Sequence, residues 1–573
     1  MLAKTIPVIA VLAALVATGV GANSTTWPLA AANGSNVFDV RDFGAAGDGT
    51  TLDTEAIAKA IRAAASAGGG TVVFRSGVYR TGTFELLSNV TLDLQAGAVI
   101  QGSQNLADYA PIEAFGFGRT YGVNSTGEGL NLGIIVARNV ENVAIIGHGV
   151  IDGSGDAFFD FDQPHYSVDF DPELTRQGQQ SLDVLRETGD GPVRSKPEGR
   201  PGTMIVCSHC RNALIRDVTL SNAPNWTVHF NDTQGAVISG IHIANNLLLP
   251  NNDGFDCFGC RDVHFSDCDI RAGDDDFAIV NSEDVTVANC SLVSRSSGIR
   301  LEATRYSTFA NLAIHSNRGL AIYGRGLGTT AHVLFSAITI ETRLLTGHWW
   351  GKGEPIYIVT APPVPGETGQ VSDVRFSNIS GEAESGIVLY GSPAAPIRDV
   401  SFDNVSIKIR TTRKDVSRAV GGNFDFRWTA KDRSQALFKH SIPGLFCRYV
   451  EGISIRAFTL EWGADKPDFF SSAVECEDFK TLEIDGLRGR QALDSSTGVA
   501  ISLSRGSDVS IRDSKADVGT STFLLTHEVS DERVFAGNDL RDAKKVFGGD
   551  PPKFESSGNL LPAVTKRPQA RQP

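Results

Sequence analysis

The sequence predicts an all-β chain wound as a parallel β-solenoid, and three observations carry that reading. A short phrase of alternating apolar and polar residues recurs from about residue 205 onward: NALIRDVTLSN (212–222), GAVISGIHIANN (235–246), RDVHFSDCDIRAG (261–273) and EDVTVANCSLVSR (283–295). Further copies lie at 372–381, 398–410, 451–462 and 507–517. One core position per copy (Val218, Ile241, Cys268, Cys290, Leu312, Ile338) advances in steps of 23, 27, 22, 22 and 26 residues. Alternation with a following Asn, Gly or Ser marks a short strand and its turn, and no helical segment separates the copies. A period in the low to mid twenties built of strands alone is that of a solenoid. Leucine-rich repeats share the length, but their fixed leucine frame is absent.

The elements follow in order. Residues 1–22 pair a basic start, Lys4, with an apolar run and the small residues Val20-Gly21-Ala22, the pattern of a secretory signal. A membrane anchor is the alternative, against which the run from Thr5 to Val20 is short. The segment FDVRDFGAAGDGTTLDTEAIAKAIRAAASAGGGTVVF predicts a strand, a Gly-Asp-Gly turn and an amphipathic capping helix. Its apolar stripe is 56, 57, 60, 61 and 64, Asp53 is placed to cap it, and Gly68 to Gly70 stop it. Such a helix would cover the first coil and block edge pairing. A single solenoid domain is expected over 37–545, with a polar, acidic insertion at 155–200 and an inserted loop at 343–368. The tail, 558–573, reads as disordered.

Composition narrows the function. The 573 residues carry 66 acidic and 52 basic side chains, a net charge of -14, which disfavours nucleic-acid partners. Beyond the signal no segment is apolar enough to span a bilayer, so the expectation is a secreted or periplasmic protein free of the membrane, and a monomer. Two CxxC pairs, Cys207/Cys210 and Cys257/Cys260, invite zinc or redox readings. Yet Cys207, Cys257, Cys447 and Cys476 each lie eleven residues before a core position, and Cys268 and Cys290 occupy it. Buried, repeat-phased thiols are the favoured reading; a disulfide within a CxxC pair stays open in an exported chain.

The sharpest chemical signal is a column of carboxylates, in PNNDGFD (250–256) and AGDDDFAIV (272–280). Asp253, Asp275 and Ser297 are spaced by 22 residues, the local period, with Gly319 next in the predicted column. Asp274 and Asp276 flank Asp275. Carboxylates that close, on adjacent coils, raise at least one pKa, favouring one protonated acid beside ionised partners. Glycosidic-bond hydrolysis needs that division: one acid for the leaving oxygen and one base for water. A solvated acidic loop and a Ca²⁺ site are the competing readings. Strand alternation would send Asp274 and Asp275 to opposite faces, so a turn or bulge must bring them together.

These residues resemble glycoside hydrolase family 28, the polygalacturonase family of right-handed parallel β-helices with the pectin-lyase-like solenoid. The resemblance covers most of 37–410 and rests on FDVRDFGAAGDG, GHGVIDGSG (147–155), SNAPNWTVHF (221–230), NNDGFD (251–256) and GDDDFAIV (273–280). It implies an inverting hydrolase of pectic or related acidic polysaccharides that uses no cofactor and no metal. Asp274 would be the general acid, with Asp253 and Asp275 placing and activating water. The family's Gly-His-Gly is replaced by Ser296-Ser297-Gly298, and its Arg-Ile-Lys by Gly319-Leu320-Ala321. Substrate contacts are therefore assigned to Asn252 and Ser297 beside the acids, to Arg300 and Glu302 on the following strand, and to Arg318 and Tyr323 on the next. Either arginine would fork onto a uronate carboxylate, the alternative being an exposed solenoid charge. In GHWWGKGEPIY (347–357), Trp350 and Lys352 would line a sugar subsite, or the tryptophans would plug the loop. A polysaccharide lyase and a non-catalytic carbohydrate-binding solenoid remain the other classes.

Overall fold

A computed structural model describes residues 36–115, 131–164, 189, 191–326, 328–346, 349–360, 368–426, 437–549 and 554–563. The signal segment and everything before residue 36 lie outside the described residues. The compact unit Asn36–Pro573 carries the fold.

Its strands join one 37-stranded sheet in which each pairs in parallel with the strands one coil before and one coil after. This is the parallel β-helix that the repeat predicts, right-handed as the resemblance implies, the hand that parallel crossovers take almost without exception. The predicted core column is real: Cys290, Leu312, Ile338, Ile379, Val405 and Phe458 pair in register from coil to coil. A second inward column runs Cys207, Phe230, Cys257, Ile279, Leu301 and Ile322. Both are buried, because alternation turns every second side chain into the coil.

The Asn or Asp inside each phrase also has a physical reason. Asn289, Asn311 and Asn404 adopt φ of 58°, 56° and 55°, the left-handed bend between two strand segments, which Asn tolerates better than most residues. Their amides stack: Asn311 Nδ2 donates to Asn289 Oδ1 at 3.3 Å and Asn404 Nδ2 to Asn378 Oδ1 at 2.8 Å.

The helix forms as Thr54–Ser66 and buries Ala56, Ile57, Ala60, Ile61 and Ala64 against Val37–Asp39, Gly70–Phe74, Phe84–Glu85 and Val90–Leu94. Asp53 sits at its N-cap position but does not cap it. Its carboxylate accepts instead from Ala46 N at 2.7 Å and Gly47 N at 3.0 Å, holding the preceding turn closed. Gly68 and Gly69 end the helix with φ of 86° and 129°.

Three boundaries differ from the sequence expectation. The inserted loop 343–368 contains a coil strand, Ile356–Val359, because its apolar run continues the inward column. Strands Lys545–Gly549 and Glu555–Ser557 extend the sheet past 545. Leu560 is tied down, its N–H donating to Asn538 O at 2.8 Å and its carbonyl accepting from Leu540 N at 2.7 Å; residues 564–573 lie outside the described residues. The ends of the 155–200 insertion form a two-stranded antiparallel ribbon, Phe159–Pro164 with Val193–Ser195.

All eight cysteines are buried free thiols. The four CxxC cysteines form no zinc cage: among the described residues only two other groups bring three possible ligands together. No helix among the described residues is long and apolar enough to cross a membrane.

Candidate active site

The site grows out of three consecutive coils. Phe255 pairs with Phe277 and Phe277 with Ile299, so two residues upstream Asp253, Asp275 and Ser297 stack as predicted. Backbone bonds continue the ladder there, Gly254 N to Asp275 O at 2.9 Å and Asp276 N to Ser297 O at 3.0 Å. The column then goes on to Arg318 rather than Gly319, because the next coil is one residue shorter and Ser297 pairs with Arg318.

A turn brings Asp274 into the same cluster, as the alternation argument required. Asn252 makes that turn: its Oδ1 accepts from Gly273 N at 2.6 Å and its Nδ2 donates to Asn246 O at 2.8 Å. Asn252 is fully buried and its amide is used inside the protein, so the substrate contact assigned to it becomes a structural clamp. Gly273 has no room for a side chain, since a Cβ would stand 2.3 Å from Leu249 O and 2.6 Å from Asn252 Oδ1. One carboxylate oxygen each from Asp253, Asp274 and Asp275 then lie within 4.8 Å of one another. A solvated acidic loop is excluded by burial, the three residues being 4%, 7% and 5% exposed.

Arg300 is the cation of this site. Its Nε lies 2.6 Å from Asp275 Oδ2 and its Nη1 2.5 Å from Glu302 Oε1, while Arg325 Nε reaches Glu302 Oε2 at 3.2 Å. Burial works against the Arg300 charge, but Asp275 and Glu302 more than offset it and hold the guanidinium protonated beyond its usual range. Asp275 Oδ1 accepts from Ser296 Oγ at 3.0 Å and from Ser297 N at 2.9 Å. Burial, with Asp275's charge adding to it, pushes Asp274 up to about 7. Burial and the neighbouring aspartates also push Asp253 well above the usual carboxylate range. One site therefore holds a carboxyl that keeps its proton near neutrality beside one paired to a guanidinium.

Arg318, Tyr323, Trp350 and Lys352 are engaged by other groups of the protein. Arg318 is neither an exposed charge nor an open fork. Its Nε and Nη2 take both oxygens of Glu354 at 3.2 and 3.1 Å, its Nη1 donates to Tyr323 Oη at 2.5 Å, and its guanidinium lies 3.6 Å from the Tyr357 ring centre. This internal carboxylate fills the place foreseen for a uronate, and Tyr323 serves the arginine. Trp349 is buried, as the loop-plug reading requires, and Trp350 half-buried, its carbonyl accepting from Asn317 Nδ2 at 3.1 Å. Lys352 is buried, with its backbone N–H on Glu354 Oε2 at 2.6 Å.

Four residues were not assigned roles from sequence. Asp256 pairs through Ala278 to Arg300 on the outward column, is fully buried, and has no hydrogen bond on either oxygen among the described residues. Strand alternation after Phe255 gave its direction. Ser296 and Asn251, which donates to Asp274 Oδ2 at 3.3 Å, stood in the quoted motifs. Arg200, at the end of the insertion, had no local signal. It locks the Asn251 turn by donating to Asn251 Oδ1 at 3.0 Å and to the carbonyls of Pro224 and Pro250 at 2.9 and 2.6 Å.

The same residues carry the comparison with known proteins. Residues 187–300 match the family described as Glycosyl hydrolases family 28, and residues 37–171 match Rhamnogalacturonase A/epimerase, pectate lyase-like. The family 28 match spans the segment that holds Asp253, Asp274 and Asp275. Within and around that family, the chain is 26% identical to the probable polygalacturonase of Vitis vinifera, over 65% of this chain and 75% of that one. It is 28% identical to the exo-poly-alpha-D-galacturonosidase of Dickeya chrysanthemi over 42% of this chain and 41% of that one, less than half of the relative's length. The family 28 exopolygalacturonase of Yersinia enterocolitica aligns at 18% identity with a TM-score of 0.49, over 78% of each chain.

Proposed function

We propose that this chain is an exported family 28 glycoside hydrolase that cleaves pectic polysaccharides of the galacturonan or rhamnogalacturonan type with inversion. The observation that carries the reading is the buried trio Asp253, Asp274 and Asp275 within 4.8 Å, in which Asp274 is pushed up to about 7. Asp274 donates its proton to the leaving glycosidic oxygen. Asp275, held by Arg300 and Ser296, removes a proton from the attacking water, and Asp253 orients that water. Inversion commonly leaves the two working carboxyls about 6.5–9.5 Å apart with water between them. With one oxygen of each acid within 4.8 Å of the others, the proposed mechanism has water attack from beside the Asp253–Asp275 pair rather than from between facing acids.

A lyase on this scaffold would need a base to take the proton next to a uronate carboxylate. Arg300 is a poor one, since Asp275 and Glu302 bind its charge and raise its pKa. The test compares wild type with Asp274→Asn on polygalacturonan, rhamnogalacturonan and neutral pectic side chains. New reducing ends without ultraviolet absorbance, lost in the variant, support the hydrolase. An absorbing unsaturated product overturns it in favour of a lyase, and binding with neither product supports the non-catalytic reading. Proton NMR of the first-formed anomer decides inversion.

A further inference from the structure

The turn that carries the acids recurs along the solenoid. Arg271, three residues before Asp274, leads a register column through Val293, His315, Glu341, Glu382, Lys408 and Glu461 on the coils that follow. Thr411 stands three residues after Lys408, and Asp465 four residues after Glu461. Both therefore open turns on the same flank of the solenoid as Asp274. Five and six coil steps put these turns about 24 and 29 Å from the acids at the usual strand spacing.

Between them lies a cavity of about 460 Å³, lined by Thr411, Lys414, Arg418, Asp465, Lys466 and Asp468. The chain as a whole carries a net charge of -14, yet this lining holds three cations against two carboxylates. Lys414 Nζ pairs with Asp465 Oδ1 at 2.8 Å. Arg418, which is exposed, and Lys466, which is half-buried, have no carboxylate within ion-pair distance among the described residues. Lys466 also acts electrostatically on Asp494, but Arg490 Nη1 already holds that group. The Thr411 hydroxyl is buried and has no hydrogen-bond partner among the described residues, a state that costs free energy until a ligand meets it.

Two cations and one hydroxyl are thus left uncommitted, against a single exposed carboxylate, Asp468. The volume is that of a small-ligand site, and a guanidinium and an ammonium beside a hydroxyl donor suit a carboxylate that also carries ring hydroxyls. A polymer lying over the acids and along the solenoid axis passes this cavity several sugar rings later. We infer that the cavity is a distal subsite that holds a uronate unit of the substrate chain, far from the bond being cleaved. The inference deepens the pectic-hydrolase reading and rests on it for the identity of the polymer.

Affinity electrophoresis tests it without relying on turnover. The full chain carrying Asp274→Asn is run, with a chelator present, through gels containing polygalacturonan or its fully methyl-esterified form. Beside it run the same chain with added Arg418→Gln or Lys466→Gln, and a control with added Lys480→Gln. Lys480 is exposed and outside the cavity, so the control carries the same change in net charge. The expected result is an affinity for polygalacturonan that falls about five-fold with either cavity variant and stays at the parent's level with Lys480→Gln. On the esterified polymer no variant should differ from the parent. Unchanged affinity in both cavity variants, an equal loss with Lys480→Gln, an equal loss on the esterified polymer, or no retardation of the parent by polygalacturonan each overturns the subsite. Arg418 and Lys466 both keep contact with solvent, so neither substitution disturbs the core. Failure of the hydrolase reading shows separately, as absence of new reducing ends from the wild type.

Discussion

Replacing Ser296 by alanine should move the alkaline limb of the activity profile to higher pH. Burial and the charge of Asp275 push Asp274 up to about 7, while the Ser296 hydroxyl and Arg300 hold it down. That hydroxyl donates to Asp275 Oδ1 at 3.0 Å and lies close enough to Asp274 to favour its ionised form. A hydrogen bond to a charged group is worth about 1.5–3 kcal/mol, and one pKa unit corresponds to about 1.4 kcal/mol. Shared between two carboxylates, the bond supports a shift of about 0.5–1 unit for Asp274. Losing a donor to the ionised form strengthens proton binding, so the general acid stays protonated to higher pH. The assay is the initial rate of reducing-end release from about pH 5 to about 9, read as kcat. Ser294→Ala is the control: its hydroxyl donates to the Asp274 backbone carbonyl at 2.7 Å, so it should leave the limb in place. A limb that stays put or falls in Ser296→Ala, or moves equally in both variants, refutes the assignment of Asp274 as the acid.

Three further outcomes follow from the same geometry. Asp253, Asp256, Asp274 and Asp276 all have raised pKa values from burial. A raised carboxyl stabilises the fold while protonated, so its contribution is complete below the usual range near 3.9 and is lost as pH rises through the folded value, about 7 for Asp274. Melting temperature should therefore fall as pH climbs through neutrality, and Asp256→Asn should shrink that fall; an unchanged slope counts against it. Arg318→Met leaves Glu354 buried without its cation and should cost about 3–5 kcal/mol in denaturant unfolding, most of it recovered by adding Glu354→Leu. A double variant no better than the single one would show that the pair does not act as a unit. Thiol titration should count eight groups after denaturation and almost none before; six or fewer would restore the disulfide reading of the CxxC pairs.

The parts of this fold that were legible in the sequence are those that the coil period enforces. Parallel strands one coil apart must stack in register, so Cys290, Leu312 and Ile338 announced a core column, and Asp253 and Asp275 announced adjacent carboxylates. Prediction failed wherever a turn changed length or a partner came from outside the repeat. The column stepped to Arg318 instead of Gly319 because one coil lost a residue. Glu354, 36 residues beyond Arg318, sits in an inserted loop with no periodic relation to it, so nothing in the sequence marked the arginine as already neutralised. Asp53 obeyed helix-cap statistics but found two turn amides closer. Asn252 looked like a sugar reader because it sits beside the acids; only the turn geometry shows both ends of its amide to be occupied.

That neutralised arginine has a consequence for the acids. Burial, with the charge of Asp275 adding to it, keeps Asp274 protonated near neutrality, and one guanidinium, Arg300, opposes that shift. Arg318 stands two coil steps from Asp275 through Ser297, about 10 Å at the usual spacing. An uncompensated charge at about 10 Å, with an effective dielectric near 20, acts with about 1.7 kcal/mol, or roughly one pKa unit. Glu354 cancels that influence. Glu354→Gln keeps the shape of the partner and one of its two acceptor oxygens but releases the Arg318 charge, which favours the Asp274 carboxylate. The alkaline limb should then move down by up to about one unit, opposite in sign to Ser296→Ala, with the largest loss of kcat relative to wild type just below neutrality. If the two variants move the limb in the same direction, electrostatic control of Asp274 is wrong, and the charge of Arg318 has no part in setting the pH range of the enzyme.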